Sequence, residues 1–187
     1  MRKIEVDGND CRFVVKSKTN VANSIRRALM SDVETYAPKS VLVRENTSCQ
    51  TDEYIAHRIG LIPFLKVSDL VESTIAVSDR QVMSTDVVGN GFKAAVNMPI
   101  IKLGREQRLD ATVHFSKGTG AMHAKFSHIA AVSYMVDKDT THMSFQTFDG
   151  VDPLVYLSQA IDSLIRRVDA ALYFVETRYD DCKSIGP

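Results

Sequence analysis

The sequence predicts an α+β fold: an antiparallel sheet packed with two long helices, and a mostly-β segment inserted between them. Three observations carry this. Leu154, Leu157, Ile161, Leu164, Val168, Ala171 and Val175 recur at alternating three- and four-residue steps near the C-terminus. That seam marks a helix packing lengthwise on another helix. At the other end, Ile4 and Val6, then Cys11, Phe13 and Val15, alternate with polar residues around Asp7-Gly8-Asn9-Asp10, a hairpin leading into a second helical period. Between the ends lie apolar runs of strand length separated by glycines and prolines.

In chain order, residues 2–16 form the hairpin. Asn20 caps a helix with Val21, Ile25, Ala28, Leu29 and Val33 on one face, which ends by Ala37 because Pro38 follows. Residues 40–45 read as a strand with Val41 and Val43 on one side. A short helix starts near Asp52, with acidic residues in its first turn and Gly60 and Pro63 stopping it. Residues 68–91 hold few large apolar residues and read as loop with one strand. Leu109, Ala111, Val113 and Phe115 alternate with Asp110, Thr112 and His114, a half-buried strand that Gly118 and Gly120 break. Residues 129–136 and 143–148 complete the strands. Asp152 and Pro153 suit the N-cap and first position of the last helix. From 153 to 175 it spans roughly 35 Å at about 1.5 Å per residue. Val155, Ile165 and Leu172 add a second apolar row, more than one neighbour covers. The economical division is one unit from residues 1–38 and 143–187, interrupted by a β-rich insert over 39–142.

The 187 residues carry 23 basic and 23 acidic side chains and no net charge. A protein whose task is gripping phosphates needs a cationic excess, so direct sequence-specific nucleic-acid binding is not indicated. Cys11, Cys49 and Cys182 lie far apart and form no CxxC. Neither a disulfide framework nor a zinc site is expected, and a reducing, intracellular compartment fits. No signal-peptide core or membrane-length apolar run appears, so no membrane is expected to be involved.

Three motifs stand out. Asn23-Ser24-Ile25-Arg26-Arg27 places two arginines about 100° apart around a helix. They suit either plain solvent exposure or a bidentate grip on a partner's carboxylates or carbonyls. Asp52, Glu53, His57 and Arg58 share the short helix, and Glu53 and His57 stand one turn apart, close enough to pair. Further ligands at helical spacing are missing, so no metal is indicated. Lys117-Gly118-Thr119-Gly120-Ala121-Met122-His123-Ala124-Lys125 sets glycines beside lysines, yet GxxxxGK[ST] is not matched. The five histidines form no nucleophilic signature, so no catalytic residue is assigned.

The runs NSIRRALMSDVETYAP, ENTSCQTDEYIAHRIGLIPF and IIKLGREQRLDATVHFSKGTGAMHAKFSHIAAVSY, followed by the long helix, occur here in one order. Together they resemble the alpha-like assembly subunit of multisubunit DNA-directed RNA polymerases. That family comprises the eukaryotic third-largest subunit, its archaeal counterpart and the bacterial alpha amino-terminal domain. The resemblance spans nearly the whole chain and is weakest over residues 68–91.

The resemblance implies a dimerisation domain made from both chain ends and a non-catalytic role in transcription, the nucleotidyltransferase chemistry belonging to the two largest subunits. It implies that Asn23, Arg26 and Arg27 meet the second-largest subunit. Leu157, Ile161, Leu164, Val168 and Leu172 would pair with a smaller alpha-like subunit. Asp52, Glu53, His57, Arg58, His123 and Lys125 would carry the insert's signature, and small zinc-binding subunits are further partners it suggests. Many relatives hold a cysteine-rich metal module near the insert, whereas this chain has only Cys49 there, so no cofactor is carried over. The implied location is the nucleus, the cytoplasm, or a viral factory or virion, according to lineage. Two other readings compete: a small nucleotide-binding enzyme using the Lys117–Lys125 loop, and a free homodimeric adaptor.

Overall fold

The computed structural model describes residues 3–89, 91–138 and 140–184, with 178–184 described as helical backbone. Strands β1 (Lys3–Asp7) and β2 (Asp10–Val15) form the hairpin, with Gly8 at φ +57 in its turn. That left-handed conformation is one glycine adopts without a Cβ penalty. Helix α1 (Thr19–Ser31) follows, then β3 (Glu34–Asn46) and α2 (Asp52–Gly60). Six strands come next: β4 (Phe64–Lys66), β5 (Glu72–Ser78), β6 (Gln81–Met83), β7 (Phe92–Ala94), β8 (Pro99–Lys102) and β9 (Arg108–Thr119). Strands β10 (Ile129–Asp137) and β11 (Thr140–Thr147) lead into α3 (Pro153–Ser184).

The chain's two ends build one antiparallel sheet in the order β1-β2-β11-β10. Alternation sends Cys11 and Phe13 of β2 and Met143 and Phe145 of β11 to the same face. There they meet Ala22, Ile25, Ala28 and Leu29 of α1 and Tyr156, Leu157 and Ala160 of α3 in one core. Phe13 and Phe145 touch edge-on, with centroids 6.4 Å apart. A second core lies between the sheet β3-β9-β5, two small two-stranded sheets (β4-β7 and β6-β8) and α2. Ile55 and Ile59 of α2 face Ile75, Leu109, Val113 and Phe115 there, and Phe92 stacks on Phe115.

Where the two cores meet, close backbone contacts set the geometry. Lys125 Nζ donates to Pro38 O at 2.7 Å, Thr35 Oγ1 donates to Phe126 O, and Ala121 N–H donates to Ser31 O. A Cβ on Gly120 would stand 2.1 Å from Met30 O, so only glycine lets the end of β9 pass the end of α1.

Several expectations are corrected. Helix α1 starts at Thr19, and Asn20 Oδ1 accepts from the adjacent Val21 N–H rather than capping a later turn. Val21 is exposed, with Ala22 in the core instead, and Val33 is buried just beyond the helix. Pro38 does not separate helix from strand: β3 already runs from Glu34 and absorbs the proline at a register shift against β9. Residues 68–91 contain β5 and β6, the former alternating through buried Ser73, Ile75 and Val77. Gly118 lies within β9 rather than ending it, because the Phe126 ring fills the space of its missing side chain. Strand β10, assigned by sequence to the insert, pairs with β11 in the sheet of the chain's ends.

Candidate assembly surfaces

Helix α3 changes environment along its length. Asp152 caps it, its Oδ1 accepting from Leu154 N–H at 2.9 Å. Tyr156, Leu157 and Ala160 are buried against α1 and the sheet, and Ile161 and Leu164 are half-buried on the same core. Asp32, just past α1, accepts from Ser163 Oγ at 3.1 Å and pairs with Arg167, tying the two helices together at this level. Beyond it, Val168 is 57% exposed, Leu172 55% and Val175 62%. With Leu164 and Ala171 they line an open apolar groove. Tyr173 and Phe174 are exposed on the other sides. Apolar surface in water costs roughly 25 cal/mol per Å², and a continuous patch of this kind marks a contact site. Leu157 is therefore corrected: it belongs to the chain's own core and is not available to a partner.

The two arginines differ in environment. Arg26 Nε and Nη2 both donate to Asn23 Oδ1, at 3.2 and 3.0 Å, and its Nη1 lies 3.5 Å from Met30 Sδ. Its fork is folded back along its own helix. Arg27 is exposed, with no side-chain partner among the described residues.

In α2, Thr51 Oγ1 accepts from Tyr54 N–H as the N-cap. Asn46 Nδ2 donates to Asp52 Oδ1 at 2.7 Å. Arg58 donates to Tyr54 OH and to Pro99 O at 2.7 Å, fastening the helix to β8. Asp52 and Arg58 thus hold the unit together. The expected Glu53–His57 pair does not form among the described residues; both side chains are exposed. His57 instead lines a notch of about 150 Å³ with His123 and Lys125, brought in from the β9–β10 connection. His123 Nδ1 accepts from Lys125 N–H at 3.1 Å.

The Lys117–Lys125 loop is built for packing. Lys117 pairs with Glu34 and Lys125 with Pro38 O, while Gly118 and Gly120 face Phe126 and Met30 O. Its glycines press on protein rather than cradling phosphate. The described residues hold no group of three or more His, Cys, Asp or Glu able to bind a metal.

One network escaped the sequence reading. Asp149 is buried between β11 and α3; its Oδ2 contacts His128 Nδ1 at 2.9 Å and accepts from Tyr156 O–H, and its Oδ1 accepts from Val151 N–H. Burial alone would push its carboxyl up. The hydrogen bonds from His128, Tyr156 and Val151 outweigh that and hold it below the ordinary carboxylate value. Burial, with the Asp149 carboxylate adding to it, pushes the Tyr156 phenol well up, so it stays a donor. The only sequence signal was a histidine and an aspartate beside apolar runs, too common to single out.

The family model for the RNA polymerase Rpb3/Rpb11 dimerisation domain matches residues 13–168, from β2 into α3. The chain belongs to that family. One similar protein is the DNA-directed RNA polymerase subunit Rpo3 of Methanocaldococcus jannaschii. It is 32% identical over 176 residues, covering 90% of this chain and 92% of the relative. The Rpo3 of Natronomonas pharaonis is 34% identical over 70% of this chain and 57% of its own length. Subunit 3 of DNA-directed RNA polymerases II, IV and V from Arabidopsis thaliana is 26% identical over 66% of this chain and 52% of its own. The match thus spans nearly all of the first relative and about half the length of the other two.

Proposed function

We propose that this chain is a non-catalytic assembly subunit of a DNA-directed RNA polymerase, and that its α3 pairs with a smaller alpha-like subunit. The observation that carries the reading is the distal half of α3, whose Val168, Leu172 and Val175 stay in water although the same helix buries Tyr156, Leu157 and Ala160 in its own core. A helix seam costs free energy until a second helix covers it. The partner face runs from Leu164 through Val175, not from Leu157. The dimerisation unit is the four-stranded sheet with α1 and α3, and the insert extends from within β3 to the start of β10. Arg27 is the arginine free to grip the second-largest subunit, with Arg26 and Asn23 stiffening the helix beneath it. Catalysis lies in the largest subunits, and as a polymerase component the chain works inside the cell.

The test is recovery of the tagged chain from its source. Polymerase subunits, including a small alpha-like chain, should co-purify in stoichiometric amounts. Recovery as a free homodimer, or bound to nucleotide without other chains, would overturn the reading.

A further inference from the structure

We infer that the notch between α2 and the β9–β10 connection is a docking site for an acidic, extended segment of another protein subunit. The inference rests on the reading of this chain as part of a multisubunit assembly. Its basis is charge and hydrogen-bonding capacity. The notch is lined by Lys39 of β3, His57 of α2, and His123 and Lys125, and no carboxylate lines it. Because His123 Nδ1 accepts from Lys125 N–H, the neutral ring carries its proton on Nε2, which is a donor. Lys125 Nζ gives one ammonium N–H to Pro38 O and stands 5.3 Å from the centre of the Phe126 ring, so its charge has no carboxylate partner among the described residues. His57 and Lys39 are exposed, with no side-chain partner among the described residues. Donors thus share the lining with no carboxylate among them, in a chain whose net charge is zero.

The floor between them includes apolar side chains. Val41 and Ala56 line it, and Leu61 stands 54% exposed at its edge. An aliphatic side chain beside a carboxylate fits that combination. The notch also borders β3, which ends the order β3-β9-β5 and pairs with a strand on one side only. Pro38 has no N–H and its O is taken by Lys125, so Lys39, Ser40 and Val41 are the stretch of that edge along which an extended segment can add through main-chain hydrogen bonds. A compact inorganic anion would use the donors and leave the floor and the strand edge empty.

Two measurements on the full chain, co-expressed with whatever subunit covers α3, test this. In the first, a fluorescein-labelled, capped Asp-Leu-Asp-Glu peptide is titrated, followed by anisotropy. Saturable binding is expected, weakened at least tenfold by Lys39→Glu/His57→Glu, with Lys39→Gln/His57→Gln intermediate. Those positions are exposed, so the fold should survive, and an unchanged thermal midpoint checks this. No saturable binding, equal binding of a Lys-Leu-Lys-Lys peptide, or full displacement by millimolar inorganic phosphate would overturn the inference. In the second, a photo-cross-linking residue replaces Leu61 in the assembled complex. The cross-linked tryptic peptide should be rich in Asp and Glu, and a neutral or basic peptide would refute the site. If no other chain co-purifies, the function proposed above fails, while the peptide titration still decides the notch.

Discussion

Replacing Val168 by aspartate separates folding from assembly. In the free chain Val168 is 57% exposed and lies past the Asp32–Arg167 tie, where α3 leaves its own core. A surface change of this kind shifts stability by no more than about 0.5 kcal/mol. In a helix pair the same position becomes dry. The nearby cation, Arg167, is already paired with Asp32. An uncompensated buried charge costs about 3–5 kcal/mol, which weakens pairing roughly 10²- to 10⁴-fold. The assay is size exclusion of the co-expressed small subunits over a dilution series, with thermal melts of the same samples. Leu157→Asp is the contrast: it buries a carboxylate in the core around Phe13 and Leu29 and should abolish folding. Asp162→Ala, exposed on α3 and outside the apolar groove, should change neither readout. Leu164 is half-buried, so a charge there would confound the two effects. An undiminished dimer carrying Val168→Asp with an unchanged melt would refute the assigned face.

Further outcomes follow from the same contacts. Tyr156→Phe removes a donor to buried Asp149 and should cost about 1.5–3 kcal/mol at neutral pH, read by urea denaturation. Because the Asp149 carboxyl is held below its ordinary value, its contribution is present above the ordinary carboxylate range and lost as pH falls through the lowered folded value. Asp149→Asn should therefore flatten the acid limb of the stability profile, and an unchanged slope would count against the network. Gly120→Ala drives a Cβ to 2.1 Å from Met30 O, backbone that cannot step aside, so the thermal midpoint should drop by several degrees. Arg27→Ala should weaken retention of the second-largest subunit in salt washes of the complex while leaving the small partner bound. Arg26→Ala, whose fork is held by Asn23, should do so less.

The long periodic helix, the N-terminal hairpin and the family motifs were all legible in the residues, because period and turn chemistry are local. The family motifs pointed to His57, His123 and Lys125, but the residues alone left a nucleotide site at the Lys117–Lys125 loop as a competing reading. It could not say where α3 stops serving its own core, since Leu157 and Val168 occupy equivalent seam positions. Only the position of Asp32 and the sheet decides that the first is buried and the second is bare. Pro38 misled because proline restricts the residue before it toward extended backbone without saying whether a strand has already begun. The β5 strand hid behind small residues whose partner is β9, a strand far along the chain. Membership of β10 was likewise set by its pairing with β11, which register rather than composition determines. The notch and the Asp149 network join residues from separate elements, so their chemistry exists only once the chain has folded. Local propensity fixes what each segment is, and long-range packing fixes which face each segment leaves for a partner.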